Sequence, residues 1–206
     1  MLKFNKFKIF RDNWKSIRDE VLSNGFDEYQ RHPICDEDVY YAINTGENPA
    51  IALCVGGDII EKNIKLYPKI WELYNQLDLS DKQSIGIACL TPNSKIAHHT
   101  DPENCYRYHL CLQTEKDKSN IENTWKRNTE SKDFINEGED VILLPHILEH
   151  NGFNKSNNIL RIHLMIDILK EEDGLGLEDY RKYFNKNGWH DGTERTFEPN
   201  WWKKNV

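Results

Sequence analysis

Two stretches of this chain alternate strictly between apolar and polar positions. Across 106–113, Tyr106, Tyr108, Leu110 and Leu112 hold one parity, and Arg107, His109, Cys111 and Gln113 the other. Across 159–167, Leu160, Ile162, Leu164 and Ile166 alternate with Arg161, His163 and Met165. A period of two belongs to a strand, whose successive side chains point to opposite faces. Each stretch therefore predicts a strand with one apolar face and an Arg-x-His pair on the other. Shorter strands are predicted at 84–91 and 95–99, separated by a Pro92-Asn93-Ser94 turn, and at 141–144.

The helical period appears before this zone. Trp14, Ile17, Val21 and Leu22 form an apolar stripe that predicts a helix over 12–23. A second, short helix is expected from Asp36 as N-cap, carrying Val39, Tyr40 and Ile43. Gly56-Gly57 marks a turn. Ile64, Tyr67, Ile70, Leu73 and Tyr74 predict one helix over 61–78. The tail, 169–206, is expected to hold a helix over 177–184 and to end in Trp189, Trp201 and Trp202, which either pack on the domain or cover a substrate mouth.

A polar strand face ordinarily meets water. Here two such faces share a β-rich zone with His99, Asp101 and His150. That combination predicts a barrel with a polar interior, its apolar faces packed against an outer layer. The expected architecture is mainly β with flanking helices. It is one domain over 1–206: an N-terminal helical decoration over 1–60, a core over 83–168, and a C-terminal helix with an aromatic tail.

Composition narrows the classes. The chain has 206 residues, 38% hydrophobic and 30% charged, with six Trp, nine Tyr and eight Phe, which is enough to build a packed core. The net charge of −7 and the absence of a dense Lys/Arg run argue against nucleic acid as a partner. No apolar run is long enough for a membrane span, and residues 1–11 lack the apolar core of a signal peptide. Cys35, Cys54, Cys89, Cys105 and Cys111 are odd in number and show no CxxC spacing. They read as free thiols in a reducing cytoplasm, so the expected location is cytoplasmic.

The candidate chemistry is the ordered set His99-x-Asp101, His150, Arg161. Two imidazoles and one carboxylate on one face of a metal form the facial triad of non-haem Fe(II) oxygenases, which leaves positions open for a co-substrate and O2. His99 and Asp101, two apart, project to one side of an extended segment. His150 comes 49 residues after Asp101. Arg161 follows eleven residues later, a gap that lets the chain turn once and return antiparallel. His150 and Arg161 are therefore expected on neighbouring strands. The guanidinium suits bidentate recognition of a far carboxylate, which points to 2-oxoglutarate as co-substrate. Arg107 and His109 share a strand face and are either co-substrate contacts or polar groups paired to acids. His98, on the opposite parity from His99, is not expected to be a ligand. His146 is a rival to His150, and His163 shares the face of Arg161 as a supporting group.

These residues resemble the aspartyl/asparaginyl β-hydroxylase family. Leu90, Pro92, Ile96, His99, Pro102, Asn104, Arg107, His109 and Leu110 fall at the spacing of that family's L-x-P-G-x-x-I-x-x-H-x-G-P-x-N…R-x-H-L stretch. Gly138, the apolar run 141–144, Glu149-His150 and Leu160-Arg161-Ile162 are similar to its second block. The resemblance implies a double-stranded β-helix (jelly-roll, cupin-like) core. It implies iron at His99 and His150, the C5 carboxylate of 2-oxoglutarate at Arg161, and co-substrate contacts from Arg107 and His109. The chain departs from the family at two points. Asp101 stands where its animal peptide hydroxylases have Gly, which completes the metal's carboxylate ligand. Asn93 stands at the turn Gly and tolerates the positive φ needed there.

The function expected is hydroxylation of an unactivated carbon with Fe(II), 2-oxoglutarate and O2, releasing succinate and CO2. The target would be the β-carbon of an Asp or Asn residue in a peptide, or of a free amino acid. Two alternatives use the same ligands: a cupin-like metal-binding or sensor protein without turnover, which does not need Arg161, and a zinc hydrolase acting through a bound water.

Overall fold

Strands distant in sequence make most of the pairings in this molecule's two sheets. The computed structural model describes residues 7–25, 30–31, 44–45, 49–55, 57–77, 84–99, 105–122, 125–127, 130–131, 136–143 and 149–169. The helix expected from Asp36, Asp101, His146 and the tail beyond residue 169 lie outside the described residues.

Two helices come first, α1 (Lys8–Asp12) and α2 (Trp14–Asn24). They are followed by β1 (Gln30–Arg31), β2 (Asn44–Thr45), β3 (Pro49–Val55) and β4 (Asp58–Ile59), then α3 (Glu61–Leu66) and α4 (Pro68–Asn75). The β-rich zone runs through β5 (Ser84–Leu90), β6 (Ser94–His99), β7 (Cys105–Gln113), β8 (Ile121–Glu122), β9 (Trp125–Arg127) and β10 (Glu130–Ser131). It closes with β11 (Asp140–Leu143), β12 (Glu149–Asn154) and β13 (Arg161–Leu169).

One sheet has the order β1-β3-β5-β13-β7-β11, with β4 paired to β3; the other has β10-β9-β12-β6-β2, with β8 paired to β12. Every pairing is antiparallel. Consecutive strands change sheet, as β5 to β6 and β12 to β13 do. This is the double-stranded β-helix arrangement.

The outer layer follows from the alternation. Tyr108, Leu110, Leu112, Ile162, Leu164 and Ile166 form one fully buried cluster with Phe7, Phe10, Ile17 and Val21 of the N-terminal segment and Ile70, Leu73 and Tyr74 of α4. The apolar faces of β7 and β13 therefore carry the helices, and each large aliphatic side chain buried there contributes about 1.5–3 kcal/mol. Phe7 stacks on Tyr108 with ring centroids 4.2 Å apart. Glu20 joins α2 to α4: its carboxylate accepts the N–H groups of Lys69 (2.8 Å) and Ile70 (3.1 Å), two of the unsatisfied donors that open α4.

Several expectations change. The stripe on α2 buries Ile17 and Val21, but Leu22 is exposed, since its angular position carries it off that face. The helix expected over 61–78 is two helices. Tyr67 leaves the helical region (φ −123°, ψ 57°) because Pro68 follows it. β3, which joins β1 and β4 to the larger sheet through β5, lies within 1–60, where a helical decoration was expected. The turn between β5 and β6 keeps its form with Asn93 at φ 59°, the one non-glycine with positive φ among the described residues. No described helix is long and apolar enough to cross a membrane. Cys54, Cys89 and Cys111 are buried free thiols.

Candidate active site

The polar faces of β7 and β13 are turned inward, away from the helices. In register, Met165 lies opposite His109, and Asp167 opposite Arg107. All of these positions are at most partly exposed, and Arg107, Arg161, His163 and Asp167 are buried.

Arg161 is the largest fully buried side chain of the described residues, at 1% exposure. Its Nη1 donates to the carbonyl oxygen of Phe153 at 3.0 Å. Phe153 belongs to β12, so the guanidinium spans from one sheet to the other. Burial pushes its pKa down to about 10, with Cys111 acting in the opposite sense. It remains a cation at neutral pH, held in a region of low dielectric where its attraction for an anion is strong. His150 and Arg161 therefore lie on strands of different sheets, where the sequence suggested neighbouring strands of one barrel. The 155–160 connection carries the chain from one sheet to the other, and the guanidinium reaches back.

His150 is directly opposite His99 in the β6–β12 ladder. The register slips between His150 and Gly152, so that Gly152 faces Ile96. Two residues of β12 thus answer three of β6, and this irregularity brings the two histidines to one rung. Residues opposite each other in an antiparallel pair have Cα atoms about 4.5–5.5 Å apart. That spacing suits two imidazoles on one ion. Among the described residues no three His, Cys, Asp or Glu side chains converge; Asp101 lies outside them, and of His98 and His99 only the backbone belongs to them.

Asn154 fixes the end of β12 against β5. Its amide donates to the carbonyls of Leu90 (2.9 Å), Thr91 (3.2 Å) and Ile159 (2.8 Å). Such a clip ties the turn after β5 and the approach to β13 to the strand that carries His150.

Arg107 has an acid partner across the β7–β13 ladder. Asp167 accepts from its Nε at 2.6 Å and from its Nη2 at 3.1 Å, a buried bidentate pair. The acid partner was legible in principle, since Asp167 continues the polar parity of Arg161 and His163. His109 is half-buried, and its ring meets that of His163 edge-on, with centroids 5.9 Å apart and planes at 87°. His163 has its pKa held well below the ordinary 6.5, first by burial, then by Arg161, then by His109, so its imidazole is neutral. Burial likewise raises the Cys111 thiol to about 12, keeping it protonated.

The donors fit the groups that the sequence suggested. Two histidines on one rung suit Fe(II), and a buried guanidinium beside the neutral His163 imidazole suits the carboxylate of a small dianion.

Comparison with known proteins gives the family and the fold. The sequence matches the family described as aspartyl/asparaginyl beta-hydroxylase over residues 11–171. No curated protein sequence matches the chain. Among solved structures, a Pseudomonas putida prolyl-4-hydroxylase aligns with a TM-score of 0.51 at 12% identity, covering 78% of this chain and 88% of its own, and shares the fold. A viral collagen prolyl hydroxylase from Paramecium Bursaria Chlorella virus-1, solved with 2OG, aligns at 12% identity over 77% of this chain and 91% of its own, with a TM-score of 0.43.

Proposed function

This chain belongs to the aspartyl/asparaginyl β-hydroxylase family, and on that premise we propose that it hydroxylates the β-carbon of an aspartyl or asparaginyl residue, in a peptide or as the free amino acid. Family and fold indicate a 2-oxoglutarate-dependent hydroxylase. The observation that supports the co-substrate reading is the buried Arg161 guanidinium, spanning the interior from β13 to β12, the strand of His150.

His99, Asp101 and His150 would hold the metal. Fe(II), when bound with 2-oxoglutarate and O2, supplies the oxidation that converts a C–H bond to C–OH as succinate and CO2 are released. The protein's part is to bind, orient and exclude water. Arg161 takes the far carboxylate through its fork of donors. His109 and Arg107 line the same interior, and Arg107 is braced by Asp167, so its position is fixed before any ligand enters. The apolar faces of β7 and β13, sealed under α1, α2 and α4, hold these polar groups in a rigid wall. No described side chain needs to act as a nucleophile in this scheme.

The test is anaerobic reconstitution with Fe(II) and 2-oxoglutarate, followed by visible absorption, with His99→Ala beside the wild type. A weak charge-transfer band in the wild type that is absent from the variant is the expected result. Folded, iron-loaded protein without a band overturns the oxygenase reading and favours a metal sensor or a zinc hydrolase. A screen of Asp- and Asn-containing peptides for a 16 Da gain then tests the substrate.

A further inference from the structure

We infer that His163 sets the length of the dicarboxylate that the interior accepts, standing as a wedge between Arg161 and His109. The inference rests on the assignment of those two residues to the co-substrate. Arg161, His163 and Met165 take successive inward positions on β13, and Met165 is the register partner of His109. His163 is thus roughly 7 Å along the strand from Arg161 on one side, and about as far from the His109 rung on the other.

The rung that holds His163 is otherwise small. Its partner on β5 is Ala88 and its partner on β7 is Cys111. The next inward position of β5 is Gly86, opposite Met165, where an added Cβ would come within 3.0 Å of the Ile51 carbonyl oxygen. Among the described residues of this rung the imidazole is therefore the bulky group. At 9% exposure it is packed rather than solvated, and its edge-on contact with the His109 ring fixes its orientation.

Its charge state suits the role. Arg161 supplies the cation for a carboxylate, and a second cation beside it would bind anions of any length more tightly. A neutral imidazole adds volume without adding charge, so it discriminates by shape. One methylene in a closed pocket is worth roughly a ten- to two-hundredfold difference in affinity.

The experiment is calorimetric titration of the anaerobic, Fe(II)-loaded full chain with 2-oxoglutarate (five carbons) and with 2-oxoadipate (six). It is run on the wild type, on His163→Val, which removes the ring but keeps a strand-compatible side chain, and on His163→Phe, which keeps a neutral ring. Circular dichroism checks folding. The expected result is a wild-type preference for 2-oxoglutarate of tenfold or more, which falls at least fivefold in His163→Val and is retained in His163→Phe. An unchanged preference in folded His163→Val overturns the inference, as does equal wild-type affinity for the two acids, which needs no variant. Loss of the preference in folded His163→Phe overturns it too, because the wedge would not be steric. A wild type that binds neither acid overturns the underlying function and this inference with it, so the two failures are distinguishable.

Discussion

The Arg161 guanidinium donates to the Phe153 carbonyl across the interior, joining β13 to β12, the strand that carries His150. A buried cation is costly unless it is hydrogen-bonded and has an anion to meet, and 2-oxoglutarate would supply that anion. Arg161→Ala is expected to leave metal binding intact and to weaken 2-oxoglutarate at least about a hundredfold, since two charge-assisted hydrogen bonds are lost at roughly 1.5–3 kcal/mol each. Arg161→Lys should fall between, because an ammonium cannot offer a fork. Anaerobic titration measures both, and an affinity unchanged in Arg161→Ala would remove Arg161 from the co-substrate's site.

Asp167→Asn breaks the buried bidentate pair and leaves the Arg107 charge uncompensated. The expected cost is about 3–5 kcal/mol in denaturant unfolding. Replacing both partners with apolar residues, as in Arg107→Met with Asp167→Leu, should recover most of that loss. A double variant as unstable as the single one would show that the pair is not the source.

The neutral His163 makes folding sensitive to acid. Its folded pKa lies well below the ordinary 6.5, depressed first by burial and then by Arg161 and His109. Below pH 6.5 the unfolded chain therefore binds a proton that the folded chain refuses. Stability is full above that pH and falls as pH drops through the window beneath it, by up to about 1.4 kcal/mol per pH unit. His163→Phe removes this proton from the balance. Unfolding curves between pH 7 and pH 5 should flatten by that slope relative to the wild type, and parallel curves would contradict the assignment.

Gly138 has φ 78°, and a Cβ there would lie 2.7 Å from Nε1 of Trp14. Trp14 is itself covered by the Arg18 guanidinium, 5.1 Å from the ring centroid, so the indole cannot yield without losing that contact. Gly138→Ala is expected to cost at least about 1 kcal/mol from the backbone alone. That corresponds to a fall in Tm of about 2–4 °C, with more for the displaced indole.

The sequence by itself determined the local facts. Strict alternation named both faces of β7 and β13, because a strand has a period of two whatever it pairs with. The clustering of Arg107, His109, Arg161 and His163 on the polar parity was enough to expect a polar interior. Asn93 was legible as a turn residue from its tolerance of positive φ. The triad could only be proposed from order and spacing.

What tertiary structure decided were the pairings. Period two says which side chains share a face, but not which strand lies alongside, and in this fold the neighbours in space are distant in sequence. That is why the His99–His150 rung, reached through a slip in register, left no periodic trace. The same reason hid the change of sheet between His150 and Arg161, and the Asn154 clip on three carbonyls. Burial settled the rest: the same alternation describes a strand with one face in water, and only the helices packed over Tyr108, Leu110, Ile162 and Leu164 turn the polar face inward.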